Sequence, residues 1–110
     1  MARFVKGDVV VVPFPFSDLS RSKRRPALVL APLDGGDVIL CQITSQNVRD
    51  RYAISLDASD FADGSLRHPS NIRPSRIFTA DGNIVLYRTG QLKPDKIEAV
   101  ITSVVAILQT

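Results

Sequence analysis

The chain has 110 residues, 45% of them hydrophobic, with one cysteine, one histidine and a net charge of +3 from 14 basic and 11 acidic side chains. This is one domain, spanning residues 1–110, with enough apolar material for an ordinary core and too much for disorder. A lone cysteine excludes an internal disulfide, and neither a signal-peptide core near the start nor a run of membrane-spanning length is present, so the expectation is a cytoplasmic protein with no membrane association.

After Gly7-Asp8, the β-branched run Val9 to Val12 predicts a buried strand. Pro13 and Pro15 alternate with Phe14 and Phe16. Proline gives a sheet no N–H, so this part is an edge or a strand leaving its sheet, with both phenylalanines on one side against the core. Ser17 to Arg25 reads as a polar loop carrying the cluster Arg21, Lys23, Arg24 and Arg25. It is longer than a usual hairpin connection, and long loops tend to be functional. Ala27 to Leu30 and Val38 to Ile43 are two strands joined through Asp34-Gly35-Gly36-Asp37, the second ending in Thr44 and Ser45.

Gln46 to Arg51 is a polar connection, and Ala53 to Leu56 a fourth strand with Ile54 and Leu56 on the core side. Residues 57–71 show no pattern and read as a long loop with a helical turn near Phe61. Ile72 to Thr79, broken by Pro74, is a short or bulged strand; Asp81-Gly82 is a turn; Ile84 to Tyr87 is a strand or a helical turn that Thr89 and Gly90 end. From Pro94 onward, Ile97, Val100, Ile101, Val104, Val105 and Leu108 repeat with helical period, and Asp95 and Glu98 suit the positive end of the helix. Its other face, Ala99, Thr102, Ser103 and Ala106, is small and can pack on a second element or subunit. Many short strands and one terminal helix predict a mainly β fold, a strongly bent barrel with the helix closing one side.

One histidine (His68) and one cysteine (Cys41) make no zinc site, and no phosphate-cradling glycine loop, dinucleotide fingerprint or serine-hydrolase elbow occurs, so the reading has no metal and no cofactor. What remains suits a phosphate ester: clustered cations attract a polyanion, and a guanidinium grips two phosphate oxygens at once. Arg25 is braced by Pro26, and Thr44 and Ser45 can bond a phosphate or a 2′-hydroxyl. A charge run is equally a solvated loop, and a lone histidine is more often a surface residue than a base.

Gly7-Asp8-Val9-Val10, Arg25-Pro26-Ala27-Leu28-Val29-Leu30 and Ile43-Thr44-Ser45-Gln46 resemble the MazF/PemK toxins of bacterial toxin–antitoxin pairs, and the likeness continues through Ser70 to Phe78 into the last helix. It implies a small SH3-like (CcdB/PemK-type) barrel, a homodimer, a cognate antitoxin partner, and metal-independent, sequence-selective cleavage of single-stranded RNA. In that family the 2′-hydroxyl attacks the adjacent phosphate, giving a cyclic phosphate and a 5′-hydroxyl. Arg25 then matches the catalytic arginine and Thr44 the strand-end hydroxyl on the scissile phosphate, with Ser45 beside it and Asp18 as a supporting carboxylate. Arg21, Lys23, Arg24, Gln46, Arg73 and Arg76 would bind RNA. Two departures stand out: Ser20 replaces a Glu or His of the loop, and Arg73 lies where members often carry an acid, which leaves the general base open. The competing readings are a nucleic-acid-binding barrel that does not cut, and a protein-directed inhibitor of the gyrase type on the same fold.

Overall fold

The computed structural model describes residues 3–15 and 22–110. Seven strands form one antiparallel sheet: β1 (Asp8–Pro15), β2 (Ser22–Pro32), β3 (Asp37–Thr44), β4 (Ile54–Leu56), β5 (Phe61–Gly64), β6 (Ser70–Asp81) and β7 (Tyr87–Leu92), followed by helix α1 (Pro94–Leu108). Their spatial order, β4-β6-β3-β2-β1-β7-β5, curls into a half-barrel. The mainly β architecture with a closing C-terminal helix is as expected from the strand pattern.

Strands β1 to β3 read as unbroken apolar runs because both of their faces are buried. Val9, Leu28, Cys41, Ile43 and Ile72 form one core with Val100 and Val104 of α1. Val10, Val12, Ala27, Val29 and Leu40 form a second on the other face, against Phe4, Phe14 and Phe78. Phe14 meets Phe78 edge-on, with ring centres 5.1 Å apart; Phe16 lies outside the described residues. Burying one such aliphatic side chain contributes about 1.5–3 kcal/mol. Pro13 and Pro15 pair only with β2, since β7 joins β1 no further than Val11, so the proline segment is one-sided as anticipated.

Gly7-Asp8, read from the sequence as the start of the fold, is a latch. The buried Asp8 carboxylate accepts hydrogen bonds from Val5 N (3.0 Å), Arg88 Nε (3.0 Å) and Gln91 Nε2 (2.7 Å), tying the chain's start to β7.

Several boundaries differ from expectation. β2 starts at Ser22, so Lys23, Arg24 and Arg25 belong to a strand and not to a loop. Pro26 is tolerated because it sits opposite Val11 where only β1 is paired; β3 joins at Ala27. The patternless stretch 57–71 holds a turn at Ala58–Asp60, just before Phe61, and then β5. β6 is long, with an irregularity around Pro74 where the register jumps from Cys41↔Ile77 to Ile43↔Ile72. β7 begins where a strand was expected to end, and Gly90 lies inside it. A Cβ there would stand 2.6 Å from Asp63 O and 2.9 Å from the Phe61 ring, so glycine marks a close approach of β5 and not a strand end. In α1 the buried stripe centres on Val100 and Val104. Val105 sits at its flank, 44% exposed, and Leu108 in the last turn is 70% exposed.

Candidate functional site

The sheet opens where β2 and β3 part. From Ser22 to Pro26, β2 has β1 as its paired neighbour, and β3 joins only from Ala27. The space this leaves is a cleft of about 200 Å³ lined by Arg24, Arg25, Pro26, Ile43 and Ser45 on one side and by Leu66, Arg67, His68 and Ser70 on the other. Three guanidiniums, two hydroxyls and an imidazole thus share one small concavity. Arg24 and Arg25 leave a strand on opposite sides: Arg25 falls on the face of Val12 and Ala27, Arg24 on that of Pro26 and Leu28.

The last β2–β3 pair at this end is Ala27↔Gln42, so Arg25 and Thr44 lie just beyond it, each two residues further along its own strand. Thr44 pairs with Asn71, and Asn71 with Ser55, so one row of polar residues crosses β3, β6 and β4. Thr44 is only 5% exposed. Its Oγ1 accepts from Gln46 N at 3.2 Å, which holds the exit of β3 and does not consume the hydroxyl's own proton. Gln46 O accepts from Asn71 Nδ2 at 3.4 Å. Ser45, one residue on, is exposed and lines the cleft directly.

The far wall comes from the chain between β5 and β6. Ser70 Oγ donates to His68 O at 3.0 Å, fixing the backbone around Pro69. Leu66, Arg67 and His68 also border a second compartment of about 300 Å³, floored by Leu56 and Phe61 and edged by Asp57 and Ser59. The two cavities share Leu66, Arg67 and His68 as a common wall.

Arg73 and Arg76 lie elsewhere, in an open groove with Arg49, Arg51, Tyr52 and Ser75 around Asp50. Arg73 Nε pairs with Asp50 Oδ2 at 3.2 Å, and Ser75 Oγ donates to the same oxygen at 3.2 Å. Tyr52 N donates to Asp50 Oδ1 at 2.9 Å. That backbone bond above all, with the Arg73 and Ser75 bonds, holds the Asp50 carboxyl below the usual carboxylate range. Arg73, read from the sequence as an RNA-binding residue, is thus engaged in an ion pair with Asp50. Arg51 stacks on Tyr52, its guanidinium 4.8 Å from the ring centre. Arg76 is exposed, with no ion pair among the described residues.

Of the other residues singled out, Lys23 is exposed on β2, while Asp18 and Arg21 lie outside the described residues. Among the described residues no three His, Cys, Asp or Glu side chains gather as metal ligands would. Burial pushes the Cys41 thiol up to about 12, so it packs as a small hydrophobe. No helix among the described residues is long and apolar enough to cross a membrane. Sequence reasoning assigned no role to Arg67 and Ser70, because they sit in a segment without periodicity. The only signal there was the arginine–histidine pair before Pro69.

Residues 5–108 match the family model described as PemK-like, MazF-like toxin of type II toxin–antitoxin system. Comparison with curated proteins finds no match by sequence. Among solved structures, MazE–MazF (Form-III) from Deinococcus radiodurans superposes with a TM-score of 0.77 at 20% identity, covering 97% of each chain. An endoribonuclease in complex with its cognate antitoxin from a mycobacterial species gives 0.74 at 14% identity, covering 99% of this chain and 96% of that one. The Mycobacterium tuberculosis toxin MazF-mt6 gives 0.67 at 16% identity, covering 91% and 96%. At these identities the structural likeness speaks for the fold.

Proposed function

We propose, from the premise that this chain belongs to the PemK-like, MazF-like toxin family of type II toxin–antitoxin systems, that it is an endoribonuclease cutting single-stranded RNA in the cytoplasm without a metal ion. The observation that carries this reading is the cleft itself, where Arg24, Arg25 and Arg67 converge with Ser45 at the end of β3. In the reaction the 2′-hydroxyl oxygen attacks the adjacent phosphorus. The O2′–P bond forms as the P–O5′ bond breaks, leaving a 2′,3′-cyclic phosphate and a 5′-hydroxyl. Arg25, rooted on a strand, offers a planar fork to the non-bridging oxygens as their charge grows, and a preorganised donor of this kind contributes about 3 kcal/mol. Thr44 and Ser45 supply hydroxyl donors from the end of the same sheet. Arg24 and Arg67 hold flanking phosphates, and Arg73, Arg76 and the backbone-fixed Gln46 extend the track for the strand.

The reading includes two protein partners. A second copy has exposed apolar surface to cover at Ile84, Leu86 and Tyr87, and a cognate antitoxin with acidic segments would compete with RNA for the arginines.

The test is incubation of the purified protein with single-stranded RNA in excess EDTA. Expected are discrete fragments carrying 5′-hydroxyl and cyclic phosphate ends at a preferred sequence. Intact RNA in EDTA, or cleavage only after magnesium is added, overturns the reading.

A further inference from the structure

The cleft holds cations and hydroxyls, yet an attacking 2′-hydroxyl must also lose its proton. We infer that His68 is the general base of this site, an inference that rests on the endoribonuclease reading above. Arginine cannot take a proton at working pH, and serine is a poor base. Among the described residues lining the cleft, His68 alone carries an imidazole, the side chain most often used as a general acid or base. Among the described residues, the carboxylate that lines the neighbouring compartment is Asp57, and its Oδ1 already accepts from Ser59 N at 2.9 Å.

Placement supports the role. His68 is exposed and borders both cavities, sharing the smaller one with Arg24, Arg25, Pro26 and Ser45. Its backbone is held by the Ser70 hydroxyl and followed by Pro69, so the ring has a fixed root. A nucleotide whose phosphate lies against Arg25 then has the smaller cavity for its phosphate and the larger, apolar-floored one for its base. The sugar between them carries its 2′-hydroxyl at the shared wall, beside the imidazole. The step balances within the RNA and the protein: the proton passes from O2′ to a ring nitrogen of His68, the O2′–P bond forms, the P–O5′ bond breaks, and O5′ takes a proton from water. Among the described residues, the charged groups that line the two cavities with this ring are Arg24 and Arg25 from β2, Arg67 from its own segment, and Asp57 from the turn before β5.

The test compares wild type, His68→Ala, His68→Gln and Arg25→Ala on one mapped RNA substrate. Single-turnover rates are read between about pH 5 and 9, alongside affinity for the same RNA with a 2′-deoxy sugar at the cut. The expected result is a rate loss on the order of a hundredfold in both His68 variants, loss of the acidic limb of the pH profile, unchanged affinity for the 2′-deoxy analogue, and partial rescue of His68→Ala by added imidazole. His68 variants that cleave like wild type with the same pH profile overturn the assignment while leaving the endoribonuclease reading intact. Variants whose rate loss is matched by lost affinity and unmoved by imidazole also overturn it, since the ring would then only bind. A wild-type protein that never cuts RNA overturns the wider reading, and the base with it.

Discussion

Arg25 and Arg73 are both half-buried arginines on strands of one sheet, with β3 between them, yet their surroundings give them different work. Arg73 is held at 3.2 Å by Asp50, whose carboxylate also draws on Tyr52 N and Ser75 Oγ. Arg25 lines a cleft whose described walls also carry Ser45 and His68. A guanidinium whose charge is matched by a fixed carboxylate is a structural brace that adds little to the field felt by a phosphate. Several cations gathered on one concave wall add their fields and attract a polyanion. The groove around Asp50 is thus built on a fixed ion pair, whereas the cleft beside Arg25 gathers arginines, hydroxyls and an imidazole among its described lining residues.

Replacing Arg25 should have the largest effect. Arg25→Ala is expected to lower RNA cleavage on the order of 100- to 1,000-fold with an unchanged thermal midpoint, and Arg25→Lys, which keeps charge without the fork, to recover only part. A folded Arg25→Ala protein with full activity would erase the distinction between the two regions. Next comes Asp50→Asn, which removes the brace. Urea unfolding should report a loss of about 1–2 kcal/mol, because Asp50 is nearly buried and serves three donors, whereas RNA affinity should rise as Arg73 is released. Weaker RNA binding by this variant would mean that Asp50 positions the groove and does not neutralise it.

Acidification probes the same brace more gently. The folded Asp50 pKa is depressed, so its contribution is complete above the ordinary carboxylate value and fades as pH falls through the lower folded one. Thermal midpoints of wild type and Asp50→Asn should accordingly converge below about pH 4; midpoints that stay equally far apart down to the acid limit would contradict this. Smallest is Arg76→Ala. Stability and cleavage at saturating RNA should hold, and the slope of log affinity against log salt should shrink by about 1, as for one lost phosphate contact. An unchanged slope would take Arg76 off the RNA track.

Much of the fold was legible in the chain. The β-branched run at Val9 to Val12, the glycine pair at Gly35 and Gly36 and the period of Ile97, Val100, Ile101 and Val104 are local signals, set by residues within one or two turns of each other. The misreadings fell where a distant neighbour decides. Gly90 looked like a strand end because its reason, the Phe61 ring, lies 29 positions earlier in the chain. Lys23, Arg24 and Arg25 looked like a loop because β1 recruits polar residues into β2 by backbone pairing, to which side-chain pattern is blind. The apolar positions Val105 and Leu108 satisfy helical period, but period cannot say how wide a stripe the sheet covers.

The candidate site divides in the same way. The sequence alone determined its chemical kind: an arginine before a proline, hydroxyls at a strand end, no metal-ligand spacing, and the PemK/MazF-like motifs that carry these residues. It also exposed the missing base. Only the tertiary structure decided which of these groups meet, for the curl of the sheet lays the segment 66–70 across the gap between β2 and β3 and brings His68 to a cleft rooted more than forty positions earlier. Residue types and their spacing are properties of the chain, whereas proximity between residues 25, 45 and 68 exists only once strand pairing has closed the loops between them.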